Sequence, residues 1–317
     1  MRGLVLHHSL RLSTDLPIPS PGPREARVRV IQAGICSTDL QLIKGYMAFQ
    51  GVLGHEFVGR VDDAADTSLI GKRVVGEINA ACRTCETCVN GRPTHCPYRT
   101  TLGIQGRDGA FADYLTLPVD NLFIVPDSIT DDQAVLIEPL AAACEITQLV
   151  SIKPTDRVVV IGDGKLGLLC AQILALSGCA VTLLGRHADN YKWLHNMAVT
   201  VATDPLDIPR GADIIVEATG SPDGLSMAIQ LVRPRGTIVL KSTYHGKISL
   251  NTAEFVIQEI SLIGSRCGPF APAIRLLKGG HIQVDRLIHA HYPLTEGMRA
   301  MEKAAQRGTL KVMLHME

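Results

Sequence analysis

Four cysteines fall within fifteen positions, as Cys82-x-x-Cys85-x-x-Cys88 followed after seven residues by Cys96. Four thiolates on one short segment suit a closed, tetrahedral, structural zinc site, with iron–sulfur ligation as the competing chemistry. The segment carries Pro93 and Pro97 and little apolar content, so a bound ion would be what holds it folded. His95 adjoins the last thiol, but four cysteines already fill a tetrahedral shell. Disulfide pairing is the weaker reading. Met1–Val5 runs straight into His7, His8, Ser9 and Arg11 with no apolar signal core, which predicts a cytoplasmic chain with reduced thiols.

A second pattern, Val158-Val-Val-Ile-Gly162-Asp-Gly164-Lys165-Leu166-Gly167, reads as a strand, a G-x-G-x-x-G turn and the start of a helix. In such a unit the first glycine permits the turn and the second lets the backbone approach a pyrophosphate. The third allows close helix–strand packing, and the N–H groups of the helix opening at Lys165 and Leu166 face the phosphates. A dinucleotide is therefore expected here. Its ribose should meet the end of the next strand, which carries no acid but Gly185-Arg186-His187. Glycine there leaves room for a 2′-phosphate and Arg186 can bind it bidentately, which predicts NADP, with NAD the alternative.

A third set is scattered: Cys36 in Gly-Ile-Cys-Ser-Thr38-Asp, His55 and Glu56 in Gly-His-Glu-Phe-Val-Gly, and Glu138 in Glu-Pro-Leu-Ala-Ala. Each alone carries little weight, since an isolated histidine after glycine is more often structural.

The elements that would position these residues change character along the chain. Residues 1–140 hold short strand patterns: Ala26–Ile31, Val58–Val61, Arg73–Gly76 and Ala112–Leu117, bounded by turn residues. From Arg157 strands alternate with helical stretches. Val158–Ile161, a helix over Lys165–Ser177, Ala180–Leu184, Asn190–Met197, Ile214–Ala218, Met227–Val232, Thr237–Leu240 and Ser261–Gly264 imply βαβ units and a parallel sheet. Helices over Ala273–Lys278 and Glu296–Gln306 and a strand over Leu310–Leu314 close the chain. The expected division is 1–140, 141–268 and a return segment, 269–317. The 317 residues are 46% hydrophobic, and 31 basic side chains balance 31 acidic ones, which argues against disorder and against electrostatic binding to nucleic acid or anionic membrane. Twenty residues without a charge, Leu166–Gly185, could span a bilayer by length, but Gln172, Ser177, Gly178 and Thr182 favour a buried helix and strand.

Taken together and in this order, the motifs resemble those of the zinc-dependent medium-chain dehydrogenases/reductases, the alcohol dehydrogenase superfamily, in its sorbitol, threonine and glucose dehydrogenase branch. The resemblance covers nearly the whole chain, to the closing Leu310-Lys-Val-Met-Leu strand. It implies an α/β protein with a GroES-like, β-rich catalytic domain and a Rossmann, doubly wound coenzyme domain. It implies a catalytic zinc held by Cys36, His55 and a carboxylate of Glu56 or Glu138, besides the structural zinc, hence two zinc ions per chain. Glutamate rather than cysteine in the last position resembles polyol and sugar dehydrogenases. Thr38 matches the hydroxyl that accepts the substrate proton, whereas Gln41 stands where relatives carry a histidine and cannot act as a base. The implied activity is hydride transfer between an alcohol, polyol or sugar hydroxyl and NADP, in a homo-oligomer of two or four chains. Tyr46, Phe49 and Arg266 are candidates for the substrate pocket; Cys144, Cys170 and Cys179 read as core residues. A zinc-free enone or quinone reductase would leave Cys36, His55 and Glu56 without purpose. A nucleotide sensor without turnover would bind NADPH yet tolerate loss of Cys36 or His55.

Overall fold

A computed structural model of the chain describes residues 1–243 and 247–316, with the side chains of 195 and 196 left aside. The chain divides into two compact units, Met1–Glu138 with Ile274–Glu317, and Pro139–Ala273. The return to the first unit thus comes at 273/274 rather than at 268/269. The intervening residues pack on the second unit: Phe270 is buried, and Gly268 lies so close to the Ala141 carbonyl that a Cβ would collide with it.

The first unit is built around the long strand Glu25–Ile35. It pairs antiparallel with Glu56–Ala64, Lys311–His315 and Tyr114–Pro118. Its first half alternates buried residues with half-buried or exposed ones, as the sequence pattern requires, but Gln32–Ile35 are all buried. The strand therefore runs four residues past the alternating stretch, because a segment covered on both faces loses the period-two signal. The register sets Gly34 opposite Glu56 and Ile35 opposite Val312. One strand end thereby gathers Cys36, Glu56 and Lys311, residues far apart in the chain.

In the second unit six described strands form a parallel sheet in the order Val199–Ala202, Ala180–Leu184, Arg157–Ile161, Ala212–Glu217, Val232–Leu240, Ser261–Gly264. The order reverses at Arg157–Ile161, and open sheets of this kind bind ligands beyond the carboxyl ends of the strands at that point. Val159, Ile161, Ile215, Ile238 and the Leu225–Ala228 face of helix Pro222–Leu231 form a continuous core on one side of the sheet. Met227–Val232 accordingly belongs mainly to that helix, and the following strand starts at Val232 rather than Thr237. The uncharged stretch is helix Lys165–Ala175 followed by strand Ala180–Leu184, both largely buried. Among the described residues no helix is long and apolar enough to cross a membrane.

Candidate active site and metal centres

The four cysteine sulfurs of the 82–96 loop converge. Sγ–Sγ separations are 3.5 Å for Cys85–Cys88, 3.5 Å for Cys96–Cys82, 3.7 Å for Cys85–Cys96 and 4.0 Å for Cys82–Cys88. A tetrahedron with Zn–S bonds of about 2.3 Å has edges of about 3.8 Å, so the sulfurs enclose room for one such ion and too little for a cluster. Backbone N–H groups of Thr84 and Cys85, with the Thr84 side chain, pull the Cys82 thiol down to about 6, so a thiolate is available at neutral pH. Cys96 is fully buried beneath the loop. Cys96→Ser is expected to release this ion and loosen the 82–96 loop, leaving coenzyme binding intact. Metal content and limited proteolysis would read the change; an unaltered proteolytic pattern would remove the structural role.

The second group forms where the central strand ends. Cys36 precedes helix Ser37–Ile43, and its backbone N–H donates to Asp39 Oδ2 at 2.8 Å. His55 and Glu56 open the neighbouring strand, both buried. Donor atoms of Cys36, His55 and Glu56 all lie within 4.8 Å of one another. Nδ1 of His55 faces Asp39 Oδ1 at 3.3 Å, and neither atom has a hydrogen-bond partner among the described residues. A carboxylate behind one ring nitrogen fixes the imidazole and leaves the other as donor, the usual support of a metal-bound histidine. Burial opposes a charged imidazole, but Asp39 and Cys36 outweigh it and hold His55 well above its ordinary pKa. An enclosure that favours a proton on this ring is one that favours a cation. The donor set therefore fits zinc.

Glu56 is engaged by a residue that sequence reasoning missed. Lys311, completely buried, pairs with Glu56 Oε2 and also reaches the Ile35 carbonyl. Burial alone would discharge Lys311, but Glu56, with Cys36 and Asp39 beyond it, raises its pKa. The signal was present as a lysine inside the apolar run Leu310–Leu314. Glu138, at the start of helix Ile137–Leu149, lies outside the close three-residue group. Burial pushes its carboxyl up to about 7, with His55 and Lys311 opposing and Glu56 adding to the rise. The Thr38 hydroxyl stands 3.7 Å from Cys36 Sγ. Tyr46 lies in a turn whose Met47 and Ala48 have positive φ, whereas Phe49 is buried as a packing residue. Arg266 is exposed in the other unit. Cys144, Cys170 and Cys179 are buried, and burial pushes Cys144 up to about 11 and Cys170 up to about 12.

The glycine-rich turn has the geometry its spacing predicts. Gly162 has φ +115 and lies against the Ala218 carbonyl, and a Cβ on Gly167 would strike the Gly162 carbonyl oxygen at 1.9 Å. Nothing lies within 4 Å of a Cβ built on Gly164, the residue capping helix Lys165–Ala175, so its face is open for a phosphate to approach. Gly185 differs from expectation. A Cβ there would meet Asp163 Cβ at 2.7 Å and the Tyr191 ring at 2.9 Å, so the space is filled by protein rather than left for a phosphate. Arg186 is exposed, and its guanidinium has no ion-pair partner among the described residues.

Comparison with known proteins places these sites in a family. Residues 22–127 match the alcohol dehydrogenase GroES-like domain and residues 166–279 the zinc-binding dehydrogenase domain. The chain is 30% identical over 301 residues to L-galactonate-5-dehydrogenase of Escherichia coli K12, covering 87% of this chain and 86% of that one. It is 28% identical over 323 residues to sorbitol dehydrogenase of Halalkalibacterium halodurans, covering 95% and 94%. An NADP-bound structure from Sinorhizobium meliloti 1021, described as a zinc-binding dehydrogenase, superimposes with TM-score 0.87 at 28% identity over 99% of this chain and 98% of that one. The parallel six-stranded sheet, the GroES-like unit and the two clusters of side chains able to hold a metal agree with this likeness. The chain belongs to the zinc-binding, medium-chain dehydrogenase/reductase family of alcohol dehydrogenase-like oxidoreductases.

Proposed function

We propose that this protein transfers a hydride between the hydroxyl-bearing carbon of a polyol, sugar or alcohol and NADP, with one catalytic and one structural zinc per chain. The observation that carries the reading is the convergence of Cys36, His55 and Glu56 with Asp39 behind the histidine. Cys36, His55 and a carboxylate of Glu56 or Glu138 would hold the catalytic ion, and Cys82, Cys85, Cys88 and Cys96 the structural one. Zinc at the first site supplies a Lewis acid that makes a hydroxyl easier to deprotonate. Thr38 would accept that proton, and Gln41, an amide, cannot take it further, so it would leave through water. The coenzyme would lie along Gly162, Gly164, Lys165, Leu166 and Gly167, with Gly185, Arg186 and His187 at its ribose end. The relatives that act on sorbitol and L-galactonate favour a polyhydroxylated substrate, as does a carboxylate in the ligand set.

A spectrophotometric panel of primary alcohols, polyols and aldoses, each with NADP and NAD, tests the reading; turnover of polyols or sugars is the expected result. A silent panel with NADPH still bound would favour a sensor. Two zinc ions per chain are expected by metal analysis, and one would mean that the catalytic donors do not hold an ion. Arg186→Ala is expected to raise KM for NADP about tenfold or more, the cost of losing a charged phosphate contact, while leaving KM for NAD nearly unchanged. Equal changes in both would make Arg186 a solvated loop residue.

Assembly is proposed through the sheet edge. Among the described residues strand Ser261–Gly264 pairs on one side only, and Leu262, Val256 and Ile257 beside it are exposed. An uncovered apolar edge invites pairing with the same edge of a second copy. Sedimentation should give a dimer or tetramer, and Leu262→Lys should shift it toward the monomer; a monomeric wild type would reject the interface.

A further inference from the structure

The ribose end of the coenzyme site holds an acid the strand itself lacks. Asp163, the first variable residue of the glycine-rich turn, is 7% exposed and reaches across to the turn after strand Ala180–Leu184. Its Oδ2 accepts the backbone N–H of Arg186 at 2.8 Å and of His187 at 2.6 Å. Nδ1 of His187 lies 3.2 Å from Oδ1 and 3.1 Å from Oδ2. The Asp163 side chain occupies the volume into which a side chain on residue 185 would grow.

We infer that Asp163 takes the place of the acidic residue that NAD-binding sheets carry at the end of this strand, and that it is a coenzyme-specificity determinant. The acid has moved one loop back along the chain, and Gly185 is the vacancy that receives it. Two consequences follow from hydrogen-bonding capacity. The backbone N–H groups of Arg186 and His187, which would otherwise be natural donors to a 2′-phosphate, are already spent on Oδ2. Oδ1, whose hydrogen-bond contact among the described residues is the His187 ring alone, retains acceptor capacity for a ribose hydroxyl, since an ionised carboxylate offers about four acceptor positions. Arg186 attracts a 2′-phosphate while Asp163 repels it and accepts the free hydroxyl of NAD. The pocket therefore uses both coenzymes, with the two side chains pulling in opposite directions. This inference rests on the dinucleotide reading of the site and goes beyond its assignment of NADP.

Binding of NADH and NADPH, followed by nicotinamide fluorescence, tests it without a substrate. Wild type is expected to bind both. Asp163→Asn keeps an oxygen for the two backbone N–H groups but removes the charge, and should raise the preference for NADPH over NADH by about tenfold. Asp163→Gly with Gly185→Asp removes the Cβ that a side chain at 185 would meet, returns the acid to the strand end and should bring the NADH/NADPH ratio back to that of wild type. A purely structural Asp163 would weaken both coenzymes alike in Asp163→Asn, and the double variant would restore neither; that result overturns the inference while leaving the coenzyme site standing. Failure of wild type to bind either coenzyme would overturn the dinucleotide reading itself, and the inference with it.

Discussion

Cys36→Ser is expected to lower kcat by about a thousandfold or more, near 4 kcal/mol of lost transition-state stabilisation. A serine hydroxyl stays protonated where a thiolate would carry charge, so the enclosure loses a negative ligand while His55 and Glu56 remain. Zinc content should fall from two ions per chain toward one, with the ion of the 82–96 loop retained. Dinucleotide binding should persist, because the glycine-rich turn belongs to the other compact unit. Activity close to wild type would rule out Cys36 as a ligand to the reacting centre.

The second large effect is on stability. Lys311→Met should destabilise the protein by about 3–5 kcal/mol, the usual result of removing one partner from a buried ion pair. Lys311 is fully buried, and its loss leaves Glu56 facing Cys36 and Asp39 without a matching charge. Lys311→Met with Glu56→Gln should recover much of that loss, since neutralising both partners removes the uncompensated charge. Urea unfolding of the zinc-loaded protein measures both. Additive losses in the double variant would mean that Lys311 acts through packing and not through Glu56.

What the sequence displayed of this site depended on how local the information was. The cysteine loop and the glycine-rich turn were legible because a dozen residues of continuous chain specify each. Strands Arg73–Gly76, Ala180–Leu184 and Ser261–Gly264 coincide with their patterns for the same reason. The partners contributed by tertiary contact were not legible. Asp39 had to be placed by a helix start, Lys311 by strand register, and Asp163 by a side chain crossing between two loops. Gly185 is conspicuous in the sequence, but a sequence cannot say whether the gap beside a glycine is filled by solvent, ligand or a neighbouring aspartate. The unexpected length of Glu25–Ile35 has a similar origin: burial on both faces erases the alternation by which a strand is recognised.

The pairing of Ile35 with Val312, and of Glu56 with Lys311, has a consequence for the order of events during synthesis. Cys36, His55 and Glu56 leave the ribosome early, yet the lysine that balances Glu56 follows it by 255 positions. Residues 139–273 form their own compact unit and can fold meanwhile, whereas the first sheet must wait with Cys36, His55 and Glu56 assembled only in part. Closure of so distant a contact is entropically slow. That end of the sheet is therefore completed last, by strand Lys311–His315, and a nascent chain cut short before that strand would carry Cys36, His55 and Glu56 without the charge that balances them.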